Sequence, residues 1–352
     1  MDDRLKNDRV LEPQALRLKP AIPTEFELVA RLLKDAPREA TDLRLGAGDD
    51  CAVIAGPGGR DWLISTDALV EKVHFRLEWT DFATLGRKAL NVNMSDIAAM
   101  GGLPRFYLVA IGLPPSEAGE VAAQIYAGMR ESAREHGALL IGGDTVASPC
   151  GTTISVTALG EIEHGEPLLR CGAKAGDAIF VTGEFGGAGL GLALLEAGRR
   201  GGSADRFILR HNDPAARVSE GRFVGRSGMA TAMIDASDGL VADLKHLADA
   251  SNLGFEIDAT KVPRAAEFET LACELKLDPW DTALTGGEDY ELIFTVPESR
   301  AVEFEKLSAG RGMVRIGTML SDAGVRRVIG DGGAELHFDA GGFDHFRRGG
   351  AD

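Results

Sequence analysis

The chain has 352 residues, of which 44% are apolar and 26% are charged, a composition typical of soluble globular proteins. The formal net charge of −16 argues against a nucleic-acid-binding protein, which needs a basic surface for phosphates. No apolar run reaches about 18 residues, so the chain is not expected to cross or bind a membrane. The polar N-terminus has no signal-peptide core and the four cysteines form no metal or redox motif, which together predict a cytoplasmic protein.

Regular patterns begin after a charged N-terminal segment, residues 1–23, which is predicted to be a flexible extension. Residues 24–165 are predicted to form an N-terminal α/β domain with a mixed sheet. Its predicted helices cover 25–36, 81–100 and 116–136, and its predicted strands cover 61–71, 105–113 and 152–162. Residues 43–55 predict two short apolar runs around a glycine turn, and residues 138–145 predict a strand that ends in such a turn.

A polar, glycine-containing connection at 163–177 leads into a second alternation of strands and helices. Residues 166–352 are therefore predicted to form a C-terminal α+β domain. Its predicted strands lie within 177–183, 231–234, 253–258, 284–296 and 313–320, and its predicted helices within 186–198, 214–224, 264–275 and 299–310.

The most informative segment of this second half is TAMIDASDGLVAD, residues 231–243. Its apolar start predicts a buried strand that ends at Asp235. Ser237 is predicted to cap a following helix that has Asp238 in its first turn. Two carboxylates three residues apart at a strand-to-helix junction would make a hard oxygen site suited to Mg²⁺. The alternative is an ordinary helix cap, in which Asp and Ser are common.

Similar acids recur along the chain, mostly at the end of an apolar run or beside glycines, where a ligand can approach the backbone closely. Strand ends are also where open α/β sheets place their chemistry. The acids predicted to hold several Mg²⁺ ions are Asp50, Asp67, Asp96, Asp144, Asp235 and Asp238. The alternative is that these acids are unrelated helix caps and surface-loop residues.

The common phosphate-binding and catalytic motifs are missing from the sequence. It contains no GxxxxGK[ST] P-loop, no protein-kinase motif set, no HExxH and no GxSxG. The glycine-rich GGAGLG at 186–191 lacks GxGxxG spacing after its strand, so it is only weak evidence for a dinucleotide site. Phosphoryl transfer without a P-loop would need positive charge from metal ions held by the carboxylates.

Six motifs, in this order, resemble those of the thiamine-monophosphate kinase family: GDDCAV, STD, NMSDIAAMG, LIGGDT, IDASDGL and GGEDYEL. The resemblance runs from Glu25 to Phe346, and the family is grouped with ATP-using enzymes such as aminoimidazole ribonucleotide synthetase and selenophosphate synthetase. It implies a two-domain aminoimidazole ribonucleotide synthetase-like fold, α/β followed by α+β, with the N-terminal sheets of two subunits paired in a homodimer. It also implies that ATP, with several Mg²⁺ ions, phosphorylates thiamine monophosphate to thiamine diphosphate.

The resemblance further implies roles for individual residues. The implied Mg²⁺ ligands are Asp50, Thr66, Asp67, Asp96, Asp144, Asp235 and Asp238, of which Asp96, Asp235 and Asp238 are expected to be catalytic. The implied nucleotide contacts are Ser65, Thr66, Gly143, Arg170 and Ser237. The implied contacts to thiamine monophosphate are His74, Glu288 and Phe343. Without the resemblance, each of these last three would be interpreted as an ordinary surface or packing residue.

Two other functions stay open on the sequence alone. One is a sibling ATP-dependent synthetase that uses the same acids on another small substrate, although the reactive Cys–Lys segment of selenophosphate synthetase is missing before Asp49. The other is a non-catalytic scaffold that binds nucleotide, which would not need intact acids at all six positions.

If the acceptor is a phosphate monoester, its second pKa of about 6 leaves it ionised near pH 7, so no catalytic His or Lys is expected.

Overall fold

The structure of the chain is a computed structural model that describes residues 25–34 and 40–338. The chain divides into two units, one comprising residues 1–36 and 344–352 and the other residues 37–343. In the first unit the described part is helix α1 (Glu25–Leu33), which forms where helical spacing predicts it. The predicted extension 1–23 and Phe343 lie outside the described residues. Both sheets belong to the second unit.

The first sheet has six strands in the order β1–β2–β3–β6–β4–β5. The strands are β1 (Leu43–Leu45), β2 (Ala52–Ala55), β3 (Arg60–Val70), β4 (Leu103–Leu113), β5 (Leu139–Ala147) and β6 (Thr153–Glu163). Neighbouring strands are antiparallel apart from β4 and β5, which are parallel, so the sheet is mixed as expected. Helices α2 (Phe82–Ala99) and α3 (Glu120–His136) pack against this sheet and against each other.

The second sheet has seven strands in the order β13–β12–β9–β11–β7–β10–β8. The strands are β7 (Ala178–Thr182), β8 (Ala232–Asp235), β9 (Gly254–Asp258), β10 (Leu292–Val296), β11 (Met313–Leu320), β12 (Arg326–Ile329) and β13 (Glu335–Leu336). The helices of this half are α4 (Gly187–Glu196), α5 (Ala204–Asn212), α6 (Val218–Ser227), α7 (Leu240–Ala250), α8 (Phe268–Glu274), α9 (Pro279–Thr285) and α10 (Glu298–Leu307). β9 and β12 are parallel and the other pairs are antiparallel, so this sheet is also mixed.

Several predicted boundaries are wrong, and tertiary contacts explain the clearest case. The helix predicted over 214–224 begins only at Val218, because the preceding residues are held in an extended path by α2. The Asn91 side chain donates to the carbonyl of Pro214 over 2.8 Å, and Arg87 binds the carboxylate of Asp213. The helix predicted from Ser116 begins at Glu120, after a series of turns. Helices α5 and α9 and strands β12 and β13 were not predicted.

Strand β3 confirms the predicted strand over 61–71, whereas β5 runs past its predicted end. β3 pairs with β6 along its whole length, so Asp67 lies inside the strand. β5 continues through Gly142, Gly143 and Asp144 to Ala147, where a turn was predicted. Pairing with a longer neighbour has therefore overridden the local glycine signal.

Most residues of helix α2 are buried, and the helix contacts strands of both sheets. Its first turn is capped by Asp81, whose carboxylate accepts from the Thr84 amide over 2.8 Å. A side chain at Gly86 would clash with the backbone of α3 at Ile125, and one at Gly128 would clash with α2 at Ala83. The two helix backbones therefore touch, which fixes the position of α2 against α3.

Membrane spans and cysteine pairing were both addressed by the sequence. Among the described residues, no helix is both long enough and apolar enough to span a bilayer. All four cysteines are free thiols, as their wide spacing predicts; Cys51 is buried and the other three are exposed.

Candidate active site

Three carboxylates from distant parts of the sequence meet in the second unit. Asp50 lies in the turn before β2, Asp96 near the C-terminal end of α2, and Asp235 at the end of β8. One oxygen atom from each lies within 4.8 Å of the others. Asp50 and Asp235 are buried and Asp96 is half-buried. We call these three residues the acid cluster.

The surroundings of the acid cluster oppose its ionisation. Burial raises the pKa of Asp50 to about 8, with Arg170 opposing the shift and Asp235 adding to it. Burial and then repulsion from Asp67 and Asp235 raise the pKa of Asp96 well above its usual value, and burial also raises the pKa of Asp235. The buried Oδ2 atom of Asp50 has no hydrogen-bond partner. A divalent cation would relieve both the repulsion and the unpaired oxygen, and an all-oxygen donor set suits Mg²⁺.

Hydroxyl and amide groups orient these acids. The Ser65 hydroxyl donates to the Asp96 carboxylate, and the Ser95 hydroxyl donates to Asp235 Oδ2 over 2.6 Å. The Asn93 side chain accepts from the Asp67 amide over 3.0 Å and so ties β3 to α2. Ser65, predicted as a nucleotide contact, therefore contacts the acid cluster directly.

Asp67 and Thr66 follow Ser65 on β3. Because side chains alternate along a strand, Asp67 faces the same side of the sheet as Ser65, and Thr66 faces the opposite side. Asp67 is an exposed residue of β3. Desolvation of its carboxylate, followed by repulsion from Asp235 and Asp238, raises the pKa of Asp67 to about 6. The Thr66 hydroxyl donates to the carbonyl of Val156 over 3.0 Å, so its side chain is engaged within the sheet.

Gly143 and Asp144 lie elsewhere on the same sheet. In the ladder, Asp67 of β3 pairs with Val156 of β6, which pairs with Val109 of β4, which pairs with Gly143 of β5. Three strand spacings separate Gly143 from Asp67 by about 14 Å. Asp144 is therefore not part of the acid cluster, and its carboxylate accepts from the amide of Thr145 over 2.9 Å.

Arg170 is bound to the acids and is not an isolated surface cation. Its Nε and Nη2 atoms donate to Asp50 Oδ1 over 3.0 and 2.5 Å. Its backbone amide donates to Asp49 Oδ2 over 3.0 Å. The guanidinium group therefore compensates part of the negative charge of the cluster.

The expected helix cap at Ser237 is wrong. Helix α7 begins at Leu240 after Gly239, whose φ of +111° favours glycine, and no side chain caps it. Ser237 and Asp238 instead form a loop before the helix. The Asp238 amide donates to Asp243 Oδ2 over 2.9 Å, and the Ser237 carbonyl accepts from the Glu288 amide over 2.7 Å.

A second cluster of ionisable side chains consists of Glu288, Lys88 and His211. Lys88 Nζ lies 2.8 Å from Glu288 Oε1, and His211 Nδ1 lies 3.0 Å from Glu288 Oε2. Lys88 also donates to the carbonyl of His211 over 2.9 Å and to the carbonyl of His74 over 3.4 Å. The His74 ring accepts from the amide of Val70 over 3.0 Å. The structure thus brings together two of the three residues predicted to contact thiamine monophosphate.

No role was predicted from the sequence for Lys88, Ser95, His211 or Asp243. A signal for two of them was present in α2, where Lys88, Asn91 and Ser95 repeat at helical spacing among mostly apolar neighbours. Asp243 is buried, and burial with repulsion from Asp238 raises its pKa well above the usual value. Nothing local distinguishes Asp243 or His211 from ordinary helix residues.

The glycine-rich start of α4 does not offer its amides to a ligand. The amides of Gly186 and Ala188 donate to the Asp289 carboxylate over 2.5 and 3.0 Å. Burial raises the pKa of Asp289 to about 7, although these hydrogen bonds lower it. The weak dinucleotide signal at this loop is therefore explained by an internal cap.

Comparison with known proteins accounts for most of the chain. Residues 48–162 match the family described as AIR synthase related protein, N-terminal domain, and residues 174–330 match the corresponding C-terminal domain family. Thiamine-monophosphate kinase of Bacillus subtilis (strain 168) is 36% identical over 331 residues, covering 92% of this chain and 99% of that protein.

Solved structures agree with this assignment. The structure of AaThiL complexed with AMPPCP and TMP is 32% identical with a TM-score of 0.79, covering 92% of this chain and 97% of that one. Thiamine monophosphate kinase from Aquifex aeolicus is 30% identical with a TM-score of 0.74, covering 88% and 97%. The chain therefore belongs to the thiamine-monophosphate kinase family, enzymes with the two-domain AIR synthase-related fold.

Proposed function

We propose that the chain transfers the γ-phosphoryl group of ATP to the phosphate of thiamine monophosphate, giving ADP and thiamine diphosphate. The observation that carries the proposal is the buried acid cluster in a chain of this family. A relative of the same fold binds AMPPCP, an ATP analogue, together with TMP. The domains proposed for this activity are residues 24–165 and 166–352, in a cytoplasmic protein.

The acid cluster would hold Mg²⁺, with Asp67 and Asp238 as further ligands beside it. Thr66 is also proposed as a ligand, and Asp144 would bind a separate ion, because β5 lies three strands away from β3. When bound, the ions would screen the phosphate charges and align the two reacting groups. Ser65 and Ser95 keep the Asp96 and Asp235 carboxylates in place by hydrogen bonds. The acceptor phosphate is already ionised near pH 7, so none of the residues around the cluster has to remove a proton.

The two substrates would occupy different parts of the site. On the nucleotide side we propose Arg170, Ser65, Thr66, Gly143 and Ser237. The guanidinium group of Arg170 is a suitable partner for phosphate oxygens because it can donate two parallel hydrogen bonds.

On the thiamine side we propose His74 and Glu288, together with Phe343. Lys88 and His211 hold the carboxylate of Glu288. Burial alone would raise the pKa of Glu288, but Lys88 and His211 lower it to about 2, so this side chain is an ionised acceptor at neutral pH.

The direct test is a reaction with Mg²⁺, ATP and thiamine monophosphate, with both products identified by mass. We expect one ADP for each thiamine diphosphate and no product when Mg²⁺ is chelated, because the acids alone would repel both phosphates. ATP binding without thiamine diphosphate would contradict the proposal. ATP turnover with a different small substrate would then indicate a related ATP-dependent synthetase. No ATP turnover with any small substrate would indicate a non-catalytic scaffold that binds nucleotide.

We also propose that the chain is a homodimer that covers β5. Every residue of this edge strand is exposed, and its apolar side chains include Leu139, Ile141 and Val146. An exposed apolar edge strand favours association with another strand. Pairing with a second copy would bury it, as the family resemblance implies.

Replacing Ile141 with arginine is expected to shift the mass measured by sedimentation equilibrium from dimer to monomer, because it places a charge on the covered edge. Val302→Arg is the matched control, since Val302 is 60% exposed on α10, away from β5. A dimer that survives Ile141→Arg, or one that is lost equally in Val302→Arg, would contradict an interface at β5.

A further inference from the structure

Lys88 is a buried cation at the junction of three chain segments. Its side chain is only 2% exposed. Its ammonium group contacts the carbonyl of His74 before α2, the carbonyl of His211 at the end of α5, and the carboxylate of Glu288. A lysine is almost never fully buried unless its charge is paired. This lysine therefore sits where it can determine how the other three residues are arranged.

The loop of Glu288, which Lys88 contacts, has features of a ligand subsite. Glu288 has a positive φ of 69°, a strained conformation for a residue with a side chain, and such strain concentrates at functional sites. Its side chain is still 24% exposed, so a ligand can reach it. Its amide is fixed by the Ser237 carbonyl, which connects this loop to the loop of Asp238.

The loop that follows His74 is fastened to the same place. Asn212, the residue after His211, donates a hydrogen bond from its side chain to the carbonyl of Trp79 over 2.9 Å. His74 comes from the N-terminal half of the unit, and His211 and Glu288 from the C-terminal half. Lys88 is thus a contact through which the two predicted substrate residues share one arrangement.

We propose that Lys88 is a positioning residue of the thiamine monophosphate subsite, whose ammonium group holds the Glu288 carboxylate and the His74 loop in the substrate-binding arrangement. The inference rests on the proposed function. Lys88 acts through Glu288 and need not touch the substrate. Its pairing also keeps Glu288 ionised, because the pKa of that acid is held at about 2 despite burial.

The test is Lys88→Met, which keeps the length of the side chain and removes its charge. We expect KM for thiamine monophosphate to rise about 10- to 100-fold, the range expected for losing hydrogen bonds to a charged group. KM for ATP and kcat should change by less than about threefold, because the lost interaction concerns substrate binding only. The increase in melting temperature caused by thiamine monophosphate should disappear, whereas the increase caused by AMPPCP and Mg²⁺ should persist.

Arg87→Met is the matched control. Arg87 is the neighbouring residue on α2 and also binds an acid of the C-terminal half, Asp213, over 2.9 Å. It has no contact with Glu288 or His74 among its hydrogen bonds and ion pairs. If Lys88 only attached α2 to the C-terminal half, both variants would lower the melting temperature and neither would raise KM for thiamine monophosphate selectively.

A double variant shows whether Lys88 acts through Glu288. In Lys88→Met with Glu288→Gln, KM for thiamine monophosphate should equal that of Glu288→Gln alone, because the partner of the lysine is already neutral. The melting temperature should recover relative to Lys88→Met, because a neutral amide replaces the half-buried carboxylate that has lost its lysine partner. If KM for thiamine monophosphate in the double variant rises by the product of the two single increases, the proposal is overturned.

Two further results keep the test decisive. If Lys88→Met does not fold, Lys88→Gln is measured with the same expected separation of the two KM values. Unchanged KM for thiamine monophosphate in a folded, active variant overturns the role of Lys88. A wild-type chain that makes no thiamine diphosphate overturns the proposed function itself, and this is measured first.

Discussion

Asp96→Asn is expected to lower kcat about 1,000-fold while raising the melting temperature of the metal-free protein. The loss corresponds to about 4 kcal/mol of transition-state stabilisation, since each tenfold step is about 1.4 kcal/mol. The gain in stability follows from charge, because burial and the neighbouring acids raise the pKa of Asp96 and oppose its ionised form. An amide can still accept the hydrogen bond from Ser65.

The measurements are kcat at saturating Mg²⁺ and thermal melting in a chelator and in Mg²⁺. The wild-type protein should gain stability from Mg²⁺, and the variant should gain much less. Asp177→Asn is the control, because Asp177 is a buried aspartate that accepts a hydrogen bond from Thr231 Oγ1 over 2.7 Å outside the acid cluster. It should lose stability and keep kcat within about twofold. Near-normal turnover in Asp96→Asn would exclude a role for this acid in the reaction.

Arg170→Met should cost the metal-free protein about 3–5 kcal/mol of unfolding free energy, the range for removing one partner of a buried ion pair. The variant leaves Asp50 with a buried carboxylate that has lost its two hydrogen bonds from Arg170, while its second oxygen already has no partner. Urea unfolding in a chelator measures the loss. Adding Asp50→Asn should restore most of it, because a neutral amide replaces the carboxyl group that has lost its partner.

Arg315→Met provides the comparison for Arg170→Met. Arg315 binds Glu298 through two hydrogen bonds of 3.0 and 2.7 Å, but Glu298 is 58% exposed. Exposed pairs contribute about 0–1 kcal/mol, so this variant should unfold at nearly the wild-type urea concentration. Equal losses in the two arginine variants would show that the Asp50–Arg170 pair behaves as a surface contact.

The elements that were predictable from the sequence are those specified by their own residues. Strand β11 forms over Met313–Leu320, the predicted range, and α2 covers Phe82–Ala99 where a helix over 81–100 was predicted. Strands β12 and β13 have only four and two residues, too few for a period to be recognised. Their existence depends on pairing with β9 and with each other.

The candidate site was predictable only in part, for a related reason. The recurring acids suggested a metal site, and the family resemblance supplied residues such as Glu288. The sequence could not show that Asp144 lies three strands away from Asp67, because strand order decides that separation. It also could not show that the charge of Lys88 is paired, because two of its three partners, His211 and Glu288, lie more than one hundred residues away along the chain.

Helix α2 also relates the two ends of the proposed site. Lys88 and Asp96 are eight residues apart on this one helix, so a rise of 1.5 Å per residue separates them by about 12 Å along its axis. The backbones of α2 and α3 touch at Gly86 and Gly128, so α2 cannot move closer to α3. A substrate that engages Glu288 at one end and the acids at the other must span that fixed interval. A molecule without the phosphate would fill one end only, so the helix would select substrates by their length as well as by their charge.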